Sequence, residues 1–132
     1  MRRDEYFIPE TAGTGASPGY SFGRSGNTSA GNYLLNEAVP SNLTGRPVGL
    51  SDCSIIGIVV SNENINTFQV EIEEHDGVTY TSLGIYTITA SRSSSFLNLS
   101  VPVTSGKELA VKISSGSCKN VVVTIYVKGN AI

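Results

Sequence analysis

Apolar and polar side chains alternate with a period of two over much of the chain beyond residue 53. In residues 67–74, Phe68, Val70 and Ile72 fall on one side and Gln69, Glu71 and Glu73 on the other, the pattern of a strand with one buried face. Residues 96–103 set Leu97, Leu99, Val101 and Val103 in phase, and residues 109–114 set Leu109, Val111 and Ile113 against Ala110, Lys112 and Ser114. Residues 121–127 are apolar enough on both sides for both to be covered, and residues 53–60 form a nearly continuous apolar run, the pattern of a strand buried on both faces or at its centre.

The punctuation between these runs is that of turns. Asp76-Gly77 after His75 marks a hairpin, because glycine accepts the positive φ that a tight reversal demands. A strand over residues 78–89 should return antiparallel from it. Residues 91–95, Thr104-Ser105-Gly106-Lys107 and Ser115-Gly116-Ser117 read as polar loops, and Pro102, which has no N–H to give, places the 96–103 strand at a sheet edge or close to its own end. Tyr33-Leu34-Leu35-Asn36 is a further short strand, followed by a loop rich in proline and glycine. Seven or eight strands spaced near ten residues, with no sustained helical period, predict an all-β, two-sheet antiparallel sandwich, a jelly roll ahead of an immunoglobulin-like arrangement.

Residues 1–32 differ. Glycine and proline recur there without periodicity, so the segment reads as an extended N-terminal arm preceding a β-sandwich domain at 33–132. Its aromatics, Tyr6, Phe7, Tyr20 and Phe22, gain nothing in a solvated linker. They would gain on a neighbouring molecule, or folded back on the domain's own sheet. Together with Arg24 and Tyr33 they are the candidate partner-binding residues.

Composition narrows the function. The 132 residues carry 9 basic and 11 acidic side chains, a net charge of −2, and only 15% charged residues. There is no basic field to neutralise phosphates, so sequence-independent nucleic-acid binding lacks its main driving term and nucleic acid is not expected as a partner. No apolar run approaches the ~20 residues of a membrane helix, and Met1-Arg2-Arg3-Asp4-Glu5-Tyr6 lacks the apolar core of a secretory signal. The expectation is folding in the cytoplasm, with Cys53 and Cys118 as half-buried thiols near strand ends and a Cys53–Cys118 disulfide as the alternative.

Candidate chemistry is sparse. His75 is the single histidine and sits in a hairpin turn beside Asp76, where a polar turn residue is the simpler reading than a catalytic base. Glu71, Glu73, Glu74 and Asp76 form one acidic concentration, with Glu71 and Glu73 on one strand face. They could meet at a calcium ion or act as a glycosidase-type pair, but a solvated face that discourages edge aggregation explains them as well. Neither cysteines nor histidine have zinc spacing. Asn27, Asn42 and Asn98 head glycosylation sequons that read as chance matches in an Asn/Ser/Thr-rich chain. The expectation is a protein with no enzyme activity, cofactor or metal.

The run Ser105-Gly106-Lys107-Glu108-Leu109-Ala110-Val111-Lys112-Ile113-Ser114-Ser115-Gly116-Ser117 and the closing Val121-Val122-Val123-Thr124-Ile125-Tyr126-Val127-Lys128-Gly129 resemble the last strands of small jelly-roll domains in tailed-bacteriophage virion proteins. Tumour-necrosis-factor-like trimeric heads have a similar ending. The resemblance covers roughly the C-terminal half, and its motif is strand-turn-strand patterning. It implies a virion component, a capsid decoration protein or a head or tail fibre module, assembled as a homo-oligomer, commonly a trimer, on the major capsid or another virion protein. The competing implication is a receptor-binding or carbohydrate-binding head using loops 40–50, 61–66 and 89–95, with Tyr80 and Tyr86 as the aromatic platform for a glycan.

Overall fold

The computed structural model describes residues 19–36, 48–49, 53–103 and 108–129. These residues form six strands: β1 (Gly19–Ser29), β2 (Leu35–Asn36), β3 (Val48–Gly49), β4 (Cys53–His75), β5 (Tyr80–Val103) and β6 (Glu108–Gly129). All pair antiparallel in one sheet ordered β2-β1-β6-β4-β5, with β3 joined to β6. The all-β, antiparallel expectation holds.

The strand count differs, for a physical reason. Each of β4, β5 and β6 contains two of the expected strands. Residues 61–66, 91–95 and 115–117, read as loops from their polar composition, lie inside strands of 23, 24 and 22 residues. Their backbones stay in the ladder at Ser61↔Ser93, Asn66↔Ser91 and Phe68↔Gly116, while register shifts break the regular alternation around them. A β-bulge inserts a residue and bends the strand without ending it. Three residues other than glycine, Ala90, Asn98 and Asn120, take positive φ, each at a register shift of β5 or β6.

The bend is sharp. The rings of Tyr86 and Phe96 stand 5.2 Å apart centre to centre, where a straight strand would separate them by roughly 33 Å. Likewise the Leu34 N–H donates to the Val111 carbonyl at 2.9 Å, while the next residue, Leu35, pairs with Gly23, itself the partner of Val122. Val111 and Val122 are thus brought far closer than the roughly 36 Å of a straight path. The sheet is doubled over on itself, each long strand contributing two limbs.

Inside the fold lies one core. Ile55, Ile58 and Val60 from the first limb of β4 join Phe68, Val70 and Ile72 from its second, with Val111, Ile113, Val123 and Ile125 of β6. The second limb keeps a period of two, while in the first a register shift between Ile55 and Gly57 interrupts it, and each limb reads as a separate strand in the sequence.

At the hairpin, sequence and structure agree. Asp76 Oδ1 accepts hydrogen bonds from the N–H groups of Val78 (2.8 Å) and Thr79 (2.7 Å), Gly77 has φ 102°, and His75↔Tyr80 is the last rung between β4 and β5. Pro102 lies one residue from the end of β5, the edge strand, as its missing donor requires.

The arm reading does not hold for residues 19–29. They are β1, paired with β6 from Gly19↔Tyr126 to Ser29↔Ser117. Phe22 is fully buried in the core and Tyr20 packs against it, so the fold-back alternative describes both rings, and Phe22 is closed to a partner. The cause is the two-sided apolarity of residues 121–127: Val123 and Ile125 face the core from β6, and Phe22 and Tyr20 opposite them continue that face. Arg24 is likewise tied inward, its Nη1 donating to the Tyr33 carbonyl at 2.8 Å. Tyr6 and Phe7 lie outside the described residues, as does most of the 40–50 loop.

Cys53 and Cys118 are both buried, and no disulfide joins them. The Cys118 thiol sits 3.8 Å from the Thr28 carbonyl, and burial pushes its pKa up to about 11. A thiolate is the reactive form, so neither thiol should be alkylated at neutral pH in the native protein, and both should react once urea unfolds it. Rapid stoichiometric labelling of the folded chain would contradict this packing.

Candidate functional site

At the His75 end of the sheet, the outward positions of three strands and the segment after β1 bring together a cluster of ionisable side chains. Strand alternation sets Glu71, Glu73 and His75 on the same side of β4, and the ladders place Lys112, Ala110 and Glu108 of β6 opposite them in turn. Tyr80, first residue of β5, flanks His75 on the other side. Tyr33 arrives from β1: Gly31 donates to the Ile113 carbonyl (2.7 Å), Ile113 donates back to Asn32 (3.0 Å), and Tyr33 bridges to Lys112.

The side chains close two small circuits. In the first, Lys112 Nζ stands 3.6 Å from Glu71 Oε1 and 3.4 Å from Glu73 Oε2, and 5.7 Å from the centre of the Tyr33 ring. The Tyr33 hydroxyl donates to Glu73 Oε1. Glu73 is 5% exposed, a burial that a carboxylate tolerates only with its oxygens occupied, as both are here. In the second, His75 Nδ1 is 3.0 Å from Glu108 Oε1, and its ring lies 4.2 Å from that of Tyr80. Tyr80 joins the circuits, its ring 5.0 Å from Tyr33.

This arrangement bears on each sequence candidate. The Glu71/Glu73 pair does share one face, but both carboxylates are drawn onto one lysine. A glycosidase-type pair needs one carboxyl free to give a proton and another facing a substrate or water. His75 is not the exposed turn residue expected from its position; its side chain is 15% exposed and engaged by Glu108. Lys112 and Glu108 carry the cluster yet were not singled out in the sequence. Only strand register could have found them, since both stand more than thirty residues from their partners.

Burial, then the hydrogen bond and charge of Glu73, raise the Tyr33 phenol well above its ordinary value near 10. The folded protein thus keeps a proton that the unfolded chain releases above about pH 10. By linkage the stability is fully present below that pH and declines as pH rises past it. Urea midpoints measured between pH 9 and 11 should fall less steeply in Tyr33→Phe than in the parent; identical slopes would show that Tyr33 ionises as freely as in the unfolded chain.

The opposite end of the sheet presents a different outer surface. Ser93, Ser95 and Leu97 of β5, Gly57, Val59 and Ser61 of β4, Val122, Thr124 and Tyr126 of β6, and Gly19, Ser21 and Gly23 of β1 lie in register across four strands. None is charged. Leu97 (60% exposed), Val122 (39%) and Tyr126 (37%) stand up from it. Gly57 lies between Leu97 and Tyr126, and Gly19 lies against the Tyr126 ring.

The glycan platform expected from Tyr80 and Tyr86 does not form. Tyr86 packs with Phe96 against the core while Tyr80 is at the His75 cluster. Residues 61–66 and 89–95, expected as recognition loops, are mid-strand bends. Among the described residues no three His, Cys, Asp or Glu side chains gather as metal ligands, and no helix is long and apolar enough to cross a membrane. No protein-family model matches this sequence, and no curated protein matches it either.

Proposed function

We propose that this chain is a non-enzymatic structural protein of a tailed-bacteriophage virion, a capsid decoration or cement module that binds the assembled shell as an oligomer. In this reading the doubled sheet is a jelly-roll-type sandwich: three long strands bent at their bulges supply two limbs each, so two layers face one another over the core. The virion assignment rests on the C-terminal resemblance. What supports a surface role is the uncharged four-strand face around Gly57, with Leu97, Val122 and Tyr126 standing on it. A broad face without charges meets a regular protein lattice without desolvating ions, and its apolar residues contribute about 25 cal/mol per Å2 covered.

The polar cluster supports the same reading. Its carboxylates, lysine and histidine are occupied by one another, and tie the segment after β1, through Tyr33, to β4 and β6.

Co-sedimentation with assembled shells is the test. The full chain should pellet with the shells at a saturable ratio, and Val122→Lys with Tyr126→Glu should release it while remaining folded. A chain that stays in the supernatant at every concentration would refute the proposal. The alternative, a receptor-binding or carbohydrate-binding head of a tail or head fibre, draws on one observation: Tyr80, 38% exposed, beside His75 and Glu108. A glycan array on which Tyr80→Ala abolishes a positive signal would favour it instead.

A further inference from the structure

The core is closed on one side and open on the other. Along β4 and β6 the inward residues are essentially inaccessible: Ile58, Val60, Val70, Ile113 and Val123 are all 0% exposed. Of the six partly buried hydrophobics packed against this core, five, Leu83, Tyr86, Phe96, Leu99 and Val101, belong to β5. β5 is the edge of the sheet and pairs with β4 alone among the described strands. The half-covered residues come from both of its limbs, with Tyr86 and Phe96 meeting across the fold.

The backbone of that edge is also unusual. Natural edge strands are kept short, or carry charges that repel a second strand. The other end of the sheet follows the rule, with the two-residue β2. β5 has 24 residues and a single charged side chain, Arg92. Positive φ at Gly84, Ala90 and Asn98 divides it into segments. The stretch Ile85-Tyr86-Thr87-Ile88-Thr89 between the first two is uninterrupted, rich in residues that favour strands, and uncharged.

We infer that the β5 edge is an interface, and that its occupant is the β5 edge of a second copy of this chain, paired antiparallel about a two-fold axis near Thr87. Such pairing is isologous: Ile85 of one copy lies opposite Thr89 of the other, and Thr87 opposite Thr87. No like charges are opposed. Inward, Tyr86 of each copy comes to the rung of the other copy's Ile88, which is already buried in its own core, and the half-covered residues of β5 become interior. A limb roughly 30 Å long and a doubled sheet roughly 20 Å across present about 600 Å2 per copy. Two copies thus bury about 1,200 Å2, which reaches the lower bound of a stable specific interface.

This deepens the reading of the chain as an oligomeric module by naming the surface through which copies join. It replaces the trimer implied by resemblance with a two-fold pair. The shell-facing surface around Gly57 is separate, so the two claims fail separately: a monomer that still pellets with shells sinks only this one.

Sedimentation velocity of the full chain between 1 and 100 µM tests it. The parent should be a dimer, and Ile85→Lys with Thr87→Lys, both at exposed positions, should weaken dimerisation at least tenfold by opposing like charges. Val78→Lys, 87% exposed in the hairpin beyond the edge, should leave it unchanged. Should the double variant misfold, hydrogen exchange of the parent decides: amides in residues 85–89 should exchange more slowly at 100 µM than at 1 µM. A monomer across the range, a trimer, or exchange in 85–89 independent of concentration would overturn the inference.

Discussion

Replacing Gly116 by alanine is expected to be among the most destabilising single changes in this protein. Gly116 lies where β6 bends, with φ 75°, in the left-handed region that residues with a Cβ avoid. A Cβ there would sit 2.6 Å from the Thr67 carbonyl oxygen and 2.9 Å from the Phe68 Cα. Both are backbone atoms of β4, unable to swing aside as a side-chain tip would. Backbone strain alone costs about 1–3 kcal/mol, and relieving the clash means prising β6 from β4 at the Phe68↔Gly116 rung. The sum should exceed about 4 kcal/mol, in the range reserved for lesions of a named mechanism. Urea unfolding measures it directly. Gly129→Ala is the control, since nothing lies within 4 Å of its Cβ position, and it should change stability by less than about 0.5 kcal/mol. Equal midpoints for the two variants would mean that the bend is not where it is described.

Lys112→Met should come next, at about 3 kcal/mol. The methionine keeps most of the packing volume of the stem, but leaves Glu73 buried with no cation, and removing one partner of a buried pair costs about 3–5 kcal/mol. The low end applies, because Lys112 itself is partly exposed and the Tyr33 hydroxyl still satisfies one oxygen of Glu73. Adding Glu73→Gln to Lys112→Met should recover more than half the loss, since the neutral amide no longer needs a counter-charge. A double-mutant cycle giving coupling below about 0.5 kcal/mol would show the two to be independent. The Glu71 ion pair, with its more exposed carboxylate, should contribute under about 1 kcal/mol.

These two positions show how far the sequence could be read. The strand character of residues 67–74, 96–103 and 109–114 was legible because each buries one face and so alternates, and that of residues 53–60 and 121–127 because each is a short run of mostly β-branched apolar residues. The continuity between limbs was not. Ser93, Ser115 and Gly116 carry turn-forming composition, yet backbone ladders run through them, and composition does not distinguish a bend inside a strand from a loop between two. For the same reason Gly116 reads as an ordinary turn glycine until Thr67 and Phe68 are seen packed on it.

The site was legible in pieces. Glu71, Glu73, His75, Tyr33 and Tyr80 could each be noted, but what joins them is the register of β4 on β6 and β5, fixed by contacts between residues far apart in the chain. Lys112, alternating with Val111 and Ile113, looks like any solvent-facing lysine. Phe22 was ambiguous because its surroundings, rich in glycine and serine, hide the period-two signal. Only the demand of the apolar face of β6 for a neighbour resolves it.

The proposal that this chain works by occupying the surface of a virion is measured most directly by its copy number in particles purified from cells that carry its gene. Quantitative mass spectrometry should find it at a constant ratio to the major shell protein across preparations, falling when Val122→Lys with Tyr126→Glu is supplied instead of the parent chain. Particles that are complete and contain none of it would contradict the account.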